Sequence, residues 1–463
     1  MPEGARLTVR PLGTRDPLAR LNAAARGAMP FLLDSSLRND ELARYSFLGS
    51  NPIGWFRSRG DLAAFASPWG EDRFRGHPLS ALETFLGLLP RARTGRPSYP
   101  FAGGLVGYLS YDLGRSLEAL PDLKAADLAV PDIHFALYDR VTVFDHVWGE
   151  AFSIAFRGAA PYVPPPIPEA LRVPEATRPI EPLEREAYLR IVEVAKEAIR
   201  EGEIFQVNLS HRQRLRLPGS ALAAYGRLRT RTPSTFGAYL DAGDHRVLSA
   251  SPERFLRVRG RDVETRPIKG TRPRGRTEEE DRALAEELLA SEKDAAENVM
   301  IVDLERNDLG KVCEFGSVGV PVLRGLMSLP NVHHLESVVR GRLREAVTIP
   351  QIVQATFPGG SITGAPKPRA MEIIERLEPH RRGVYTGAIG YISWDRSLDL
   401  NIAIRTATVL GQEAFFAVGG GIVADSEPDA EYRETLDKFR GHAEALTGDR
   451  MAVATDGIRM AQR

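Results

Sequence analysis

Short segments in which apolar and polar residues alternate recur in the second half of the chain, among them residues 384–392, 401–409 and 414–418. Such alternation puts apolar side chains on one face of a strand, and antiparallel sheets often bury only one face. Elsewhere apolar residues recur at helical spacing, as in residues 184–199. This mixture predicts an α+β fold with large antiparallel β-sheets and helices packed on them.

A proline-rich stretch divides the chain at residues 158–182, where eight prolines disfavour both helices and sheet ladders. The chain has 463 residues, more than the roughly 250–300 at which a single core stops growing. We therefore expect two subdomains or one composite domain. The expected divisions are an N-terminal region at 1–157, the connector at 158–182, a region at 183–446 that holds nearly all the polar motifs, and a tail at 447–463.

The charge balance gives no sign of a nucleic-acid or membrane-surface partner, because lysine plus arginine and aspartate plus glutamate each number 61. No run approaches the ~20 apolar residues of a membrane helix, and the N-terminus lacks the apolar core of a signal peptide. The single cysteine, Cys313, cannot form an internal disulfide, which agrees with a reducing compartment. We expect a cytoplasmic protein.

A strand is predicted at residues 204–210, where apolar residues alternate with Gln206, Asn208 and Ser210. The apolar face must pack against the core. The polar face can be solvated or can line a cleft, and the strand alone favours neither reading.

The last predicted helix, at residues 430–440, has an apolar stripe and a separate charged face. Glu431, Glu434 and Lys438 share that face. An exposed glutamate–lysine pair is the commoner outcome for such a pattern. If these side chains instead bind a ligand, another segment of the chain must cover this face of the helix.

Three consecutive glycines at residues 419–421 precede this helix and could provide that cover. A glycine run lets the backbone approach a ligand closely and offers N–H groups to an anion. Carboxylates beside it could hold a hard cation that binds a substrate carboxylate. Glu297, on another predicted helix, could be a further ligand, and Mg²⁺ usually keeps several waters.

Two residues near the middle of the chain are candidates for catalysis. Glu253 lies in SPERF, beside a predicted strand end, and Lys269 lies in TRPIKGT. A lysine after an apolar pair is usually exposed. If it were partly buried, the pKa of its amine would fall and the amine could act as a nucleophile. A desolvated glutamate in the same cleft could act as a general acid.

A second glycine-rich segment, FPGGSITGAPK at residues 357–367, looks like a phosphate-binding loop only superficially. In that motif lysine directly follows the last glycine, whereas here Ala365 follows Gly364. Nucleotide hydrolysis is therefore disfavoured. The following helix could still direct its N-terminus at an anion.

Together these segments resemble the chorismate-binding enzyme family, whose anthranilate synthase component I-like members have antiparallel sheets in a sandwich with helices outside. The resemblance covers essentially all of residues 183–446. Its most specific segments are GEIFQVNLS (202–210), SASPERF (249–255), TRPIKGT (265–271), AENVMIVDLERNDLG (296–310), FPGGSITGAPKPRAMEII (357–374), GGGIVADS (419–426) and EYRETLDK (431–438). The N-terminal region also resembles the family at FLLDSS (31–36) and RYSFLGSNP (44–52).

Two positions place the chain among the branches of this family. Members that add water to the ring have a lysine base where this chain has Gln206, so an isochorismate or salicylate synthase is disfavoured. Among members that add ammonia, anthranilate synthases typically read PIAGT and aminodeoxychorismate synthases PIKGT. This chain reads PIKGT, so it resembles the branch that leads to p-aminobenzoate and folate.

The resemblance implies a role for each matching residue. Lys269 would attack ring carbon 2 while Glu253 protonates the leaving 4-hydroxyl. Glu297 and Glu434 would ligate Mg²⁺, and Glu431 would do so directly or through a water. The residues expected to bind or line the substrate are Gln206, Thr271, His334, Tyr385, Arg405, Gly419, Gly420, Gly421 and Lys438.

The resemblance also implies partners and leaves alternatives. Ammonia would come from a separate glutamine amidotransferase, since Cys313 lies in a strand-like segment with no catalytic partners in view. A tryptophan pocket would contain Ser35, Arg44 and Tyr45. The nearest alternative is an anthranilate synthase subunit that happens to carry lysine. A non-catalytic binding chain is disfavoured because the catalytic and metal-binding carboxylates are all present.

Overall fold

A computed structural model of the protein describes residues 6–13, 15–37, 42–91, 99–157, 162–174, 183–329, 332–449, 451–454 and 457–460. Parts of the predicted connector (158–161 and 175–182) and of the predicted tail (450, 455–456 and 461–463) lie outside the described residues. The helices in the described part are α1 (Pro17–Ala24), α2 (Pro78–Leu88), α3 (Arg185–Arg200), α4 (Ala221–Arg231), α5 (Glu278–Ala290), α6 (Glu292–Gly310), α7 (Ile349–Thr356), α8 (Lys367–Leu377) and α9 (Pro428–Thr447).

The strands in the described part are β1 (Arg6–Leu12), β2 (Phe31–Asp34), β3 (Tyr45–Gly49), β4 (Gly54–Arg59), β5 (Leu62–Ser67), β6 (Gly70–Arg75), β7 (Gly104–Leu109), β8 (Ile133–Tyr138), β9 (Arg140–Asp145), β10 (Glu150–Arg157), β11 (Gln206–Arg216), β12 (Phe236–Asp241), β13 (Arg246–Ser251), β14 (Arg254–Arg259), β15 (Asp262–Arg266), β16 (Ile268–Pro273), β17 (Gly319–Ser328), β18 (Val332–Arg342), β19 (Gly364–Ala365), β20 (Ala388–Ser393), β21 (Leu398–Ile402), β22 (Thr406–Leu410), β23 (Glu413–Ile422), β24 (Met451–Ala454) and β25 (Gly457–Met460).

Most of these strands belong to two large antiparallel sheets. The first has 11 strands in the order β1-β10-β9-β3-β2-β12-β13-β22-β23-β11-β19. The second has 12, in the order β16-β18-β15-β14-β21-β20-β7-β8-β4-β5-β6, with β17 also paired to β18. Strands from both sides of the proline-rich stretch share each sheet, since β2 pairs with β12 and β7 with β20. The predicted α+β class with large antiparallel sheets is confirmed.

The two sheets pack face to face around an apolar core and carry helices on their outer faces. Phe47 and Val247 of the first sheet meet Tyr108 and Tyr391 of the second in one buried cluster. Burial of such side chains is the main force that holds the layers together. Helices α1, α4 and α9 cover the first sheet, and α2 and α7 pack on the second.

Local structure differs from the sequence prediction at residues 401–409. The segment 401–409 forms two strands rather than one, because Arg405 has φ 52° and turns the chain out of the ladder between β21 and β22. Thr277 caps α5 by accepting from the Glu280 N–H at 3.1 Å. The Glu280 carboxylate accepts from the Arg276 N–H instead of completing a capping box.

The candidate site lies where the two sheets come together at one end. Strands β11 and β23 of the first sheet and β16 and β18 of the second border it, with α6, α9 and the loop before β19 beside them. Within the described residues, no helix combines the length and the apolar character that crossing a membrane would need.

Candidate active site

Glu253 lies in the two-residue connection between β13 and β14 and is only 4% exposed. Ser361 Oγ donates to Glu253 Oε1 at 2.6 Å, and the Ile268 N–H approaches the same oxygen at 3.4 Å. Burial raises the pKa of Glu253 to about 7, although the Ser361 hydrogen bond and the charge of Lys269 lower it. A carboxyl that keeps its proton close to neutrality can serve as a general acid.

Lys269, on β16, contacts the same loop residue from the other side. Its Nζ donates to the Ser361 carbonyl at 3.2 Å. Burial lowers the pKa of Lys269, although the carboxylates of Glu297 and Glu253 raise it. Burial thus shifts both groups toward their neutral forms. These are the protonation states that nucleophilic attack with proton donation requires.

Gln206 and Gly421 form the adjoining wall. A methyl group on Gly421 would lie 2.1 Å from Gln206 Nε2 and 3.6 Å from Lys269 Nζ, so only glycine leaves room for the amide. Gln206 is 1% exposed, and its Oε1 has no hydrogen-bond partner in the described part of the chain. Buried oxygens are normally satisfied, so this one is suited to a donor that arrives with the substrate. The polar face of β11 is therefore buried at this end rather than solvated.

Thr271 and His334 face each other across β16 and β18. Thr271 Oγ1 lies 2.9 Å from His334 Nδ1, and the Gly270 carbonyl lies 3.1 Å from the same nitrogen. Burial lowers the pKa of His334 to about 4, so the ring is neutral at physiological pH. The Gly270 contact requires the proton on Nδ1, which leaves Nε2 as an acceptor. Nε2 has no partner among the described residues.

Arg405 and Tyr385 provide hydrogen-bond donors. The Arg405 guanidinium is half-buried and makes no hydrogen bond or ion pair with any described residue; burial lowers its pKa, although Glu253 raises it. A guanidinium in this state can bind a substrate carboxylate with two hydrogen bonds. Burial also raises the pKa of Tyr385, which keeps its hydroxyl protonated.

The charged face of α9 is exposed in one part and covered in another. Glu434 and Lys438 form the exposed pair, with Nζ 2.6 Å from Oε1, and Lys438 also donates to the Gly419 carbonyl at 3.1 Å. Glu431 is buried and accepts from Ser426 Oγ at 2.7 Å. The glycine run thus lies against this face of the helix, as the sequence suggested.

Three carboxylates from two helices are the predicted metal ligands. Burial raises the pKa of Glu297 and of Glu431, and Glu431 adds to the effect at Glu297. The pKa of Glu434 is lowered, because Lys438 outweighs the effect of burial. Within the described ranges, no three acidic, histidine or cysteine side chains converge closely enough to enclose an ion. Mg²⁺ usually takes one or two protein carboxylates and keeps waters, so its binding by these residues stays a prediction.

The sequence reasoning missed several buried polar groups near the site. Ser361 is the most important, since it contacts both candidate catalytic residues. Burial raises the pKa of Glu305 to about 8, and its carboxylate accepts from Thr265 Oγ1 at 2.9 Å. Glu378 and Arg382 form an ion pair with both side chains 2% exposed. Only the glycine-rich surroundings of Ser361 could have drawn attention to it.

The three residues of the predicted tryptophan pocket do come together. Ser35, Arg44 and Tyr45 line a cavity of about 910 Å³ between the sheets. Arg44 pairs with Asp145 at 2.7 Å, and its guanidinium lies over the rings of Tyr45 and Trp148. Tryptophan binding there stays a prediction.

Cys313 is buried, and burial raises the pKa of its thiol to about 11. A thiol in this state is a poor nucleophile, because the reactive form is the thiolate. This agrees with the expectation that the residue has a packing role.

Comparison with known proteins gives a consistent family and two activities. The model of the family described as chorismate binding enzyme matches residues 46–444. A Bacillus subtilis protein named aminodeoxychorismate synthase component 1 is 38% identical, with 87% of this chain and 89% of the relative covered. A Thermus thermophilus protein named anthranilate synthase component 1 is 41% identical, with 92% and 94% covered.

A solved structure supports the same assignment. The crystal structure of anthranilate synthase component I from Streptococcus pneumoniae superimposes with a TM-score of 0.74 at 34% identity, covering 87% of this chain and 92% of that one. The relatives are named for two different synthases, so the comparison does not decide which product this chain forms. The chain belongs to the chorismate-binding enzyme family.

Proposed function

We propose that the chain is the large subunit of an aminodeoxychorismate synthase, which converts chorismate and ammonia into 4-amino-4-deoxychorismate and water. The observation that carries this proposal is the junction of Glu253 and Lys269 at Ser361, where burial favours a neutral acid beside a neutral amine. An amine at this position can form a bond to the ring, which an alanine cannot.

The first step forms a bond from Lys269 Nζ to ring carbon 2. The ring double bonds shift, the bond from carbon 4 to its hydroxyl breaks, and Glu253 gives its proton to the departing oxygen, which leaves as water. General-acid assistance of this kind contributes roughly 10²–10⁴-fold. In the second step ammonia bonds to carbon 4, the double bonds shift back, and Lys269 leaves carbon 2 as the free amine.

The remaining residues hold the substrate in the attack geometry. Arg405 and Tyr385 are suited to the enolpyruvyl carboxylate and ether, and Thr271 and Lys438 to carboxylate oxygens. Bound Mg²⁺ would fix the ring carboxylate and withdraw charge from the ring. Such positioning makes a bimolecular reaction effectively unimolecular, which lowers the activation free energy.

A glutamine amidotransferase is the proposed partner. The relatives on both sides of the family are named component 1, which implies a second component. The described residues show no activated thiol that could hydrolyse glutamine, since Cys313 is inert. We expect the chain alone to use free ammonia.

Product analysis tests this function. The purified chain is incubated with chorismate, ammonium and Mg²⁺, and the products are separated by chromatography. The proposal expects 4-amino-4-deoxychorismate, which an added lyase converts to p-aminobenzoate. If fluorescent anthranilate accumulates instead, the chain is an anthranilate synthase subunit.

The rate of chorismate consumption should vary with pH as Glu253 gains or loses its proton. This residue acts as an acid and must carry its proton, so its catalytic form is complete below its pKa of about 7 and is lost as the pH rises through that value. The rate of chorismate consumption, measured at constant free ammonia, should therefore fall on the alkaline side of neutrality. A rate that stays level up to pH 9 would contradict the assignment.

Removal of divalent cations with a chelator should abolish amination, and Mg²⁺ should restore it. Glu434→Gln should raise the Mg²⁺ concentration needed for half-maximal rate by about tenfold or more, because a carboxylate near the ion is lost. Asp437→Asn is the matched control, since Asp437 lies on the same helix but pairs with Arg440 on the exposed side. Equal Mg²⁺ dependence in both variants would exclude Glu434 from the metal site.

A further inference from the structure

The loop at residues 356–363, here called the site loop, is held at both ends by buried cations. Lys367 Nζ donates to the Thr356 carbonyl at 2.8 Å. Arg382 Nη1 donates to the Ile362 carbonyl at 2.9 Å. Hydrogen bonds to charged donors are stronger than neutral ones, so the backbone of the loop is fixed on both sides of its centre.

The centre of the site loop is held by its own hydroxyl and by close packing. Thr363 Oγ1 donates to the Gly359 carbonyl at 2.8 Å. A methyl group on Gly359 would lie 2.7 Å from Ile402 Cδ1, and one on Gly360 would lie 2.8 Å from Leu304 Cδ2. The two glycines thus let the loop backbone pack closely against Ile402 of β21 and Leu304 of α6.

Ser361 stands at the middle of this rigid loop, 6% exposed. Its hydroxyl donates to Glu253 Oε1 at 2.6 Å, and its carbonyl accepts from Lys269 Nζ at 3.2 Å. We propose that Ser361 is a positioning residue that joins the proton donor and the nucleophile into one hydrogen-bonded unit. This inference rests on the roles proposed above for Glu253 and Lys269.

The two contacts act differently. The carbonyl takes one N–H of the Lys269 amine, which holds the nitrogen in place and limits the directions open to its lone pair. The hydroxyl stabilises the carboxylate that Glu253 becomes after it has given up its proton. Because this hydrogen bond stabilises the carboxylate, it makes proton donation by Glu253 easier.

The electrostatic surroundings of Glu253 come from several elements. Arg405 before β22 and, when protonated, Lys269 on β16 place positive charge near it, while Glu336 on β18 and, when ionised, Glu305 on α6 place negative charge near it. None of these groups is altered when the Ser361 hydroxyl is removed. A change in the titration of Glu253 in such a variant therefore reports the lost hydrogen bond.

Ser361→Ala tests the proposal, because it removes the hydroxyl and keeps the carbonyl. Chorismate consumption with saturating ammonium and Mg²⁺ should slow by about tenfold, the equivalent of one hydrogen bond to a charged group. The alkaline fall in rate should move to higher pH, because the carboxylate form of Glu253 has lost a donor. The product should be unchanged, since Lys269 keeps its contact.

Two further variants separate positioning from simple loosening of the loop. Ser361→Thr keeps a hydroxyl and should restore both the rate and the position of the alkaline fall. Thr363→Val removes a hydroxyl of the same loop that does not touch Glu253, so it should leave the alkaline fall in place whatever it does to the rate. A slower Ser361→Ala enzyme with an unmoved alkaline fall would overturn the proposal.

The test does not depend on which amine is produced, because chorismate consumption is measured. If the wild-type product is anthranilate, the proposed function is wrong. The role of Ser361 is still tested, because the rate of chorismate consumption and its alkaline fall are measured independently of the product. Titration of the ¹³C-labelled glutamate signal that disappears in Glu253→Gln gives a second reading in the resting enzyme. In Ser361→Ala that signal should titrate at higher pH, and an unchanged titration would contradict the proposal.

Discussion

With Lys269→Ala, formation of 4-amino-4-deoxychorismate is expected to fall by on the order of a thousandfold or more, the scale seen when a covalent nucleophile is removed. The variant lacks the group that occupies ring carbon 2 while ammonia enters at carbon 4. Any residual amination should shift toward anthranilate, because carbon 2 is now free for ammonia. Chromatography of the products after long incubation measures both changes.

The fold of this variant should be intact. Burial lowers the pKa of Lys269, and its hydrogen bond runs to a backbone carbonyl, so alanine removes a desolvated group and breaks no ion pair within 4 Å among the described residues. Lys311→Ala is the comparison variant, since that lysine is exposed and pairs with the buried Asp308, away from Glu253 and Ser361. If Lys269→Ala kept the wild-type rate and product, the covalent step would be wrong.

Glu253→Gln is expected to lower the rate constant of amination by about 10²–10⁴-fold, the usual contribution of a general acid. Glutamine has the same shape and still accepts from Ser361, but it has no proton to give to the leaving hydroxyl. Chorismate binding, followed by equilibrium titration, should change little. The fall in rate above neutral pH should also disappear, because the titrating group is gone.

Glu305→Gln is the control for this variant. Glu305 is also buried with a raised pKa, but its bond is to Thr265 and it touches neither Lys269 nor Ser361 by hydrogen bond. It should retain far more activity than Glu253→Gln. Equal losses in the two variants would mean that burial of a carboxyl, rather than proton donation by Glu253, accounts for the effect.

Local patterns in the sequence were enough to predict the type of fold and many of its elements. Alternation of apolar and polar residues predicted the strands, and helical spacing predicted α3 and α9. The interruption between β21 and β22 at Arg405 was not predicted, because an arginine with positive φ does not change the alternation of apolar and polar residues. Such a conformation is imposed by the tertiary structure around it.

The chemistry of Lys269 could not be derived from its neighbours in sequence. By spacing alone it looked like a surface lysine, and only the family resemblance suggested a nucleophile. Its hydrogen-bond partner Ser361 is 92 positions away in the chain, and Glu253 is 108 positions from the same serine. Contacts of that range arise from the pairing of distant strands, which short motifs do not encode.

The position of the new carbon–nitrogen bond tests the central claim most directly. The wild-type chain is incubated with chorismate, Mg²⁺ and ¹⁵N-ammonium without any amidotransferase, and the product is analysed by ¹³C–¹⁵N NMR. The account predicts ¹⁵N bonded to ring carbon 4, with the enolpyruvyl group retained. A product with ¹⁵N on ring carbon 2, which goes on to fluorescent anthranilate, would contradict it.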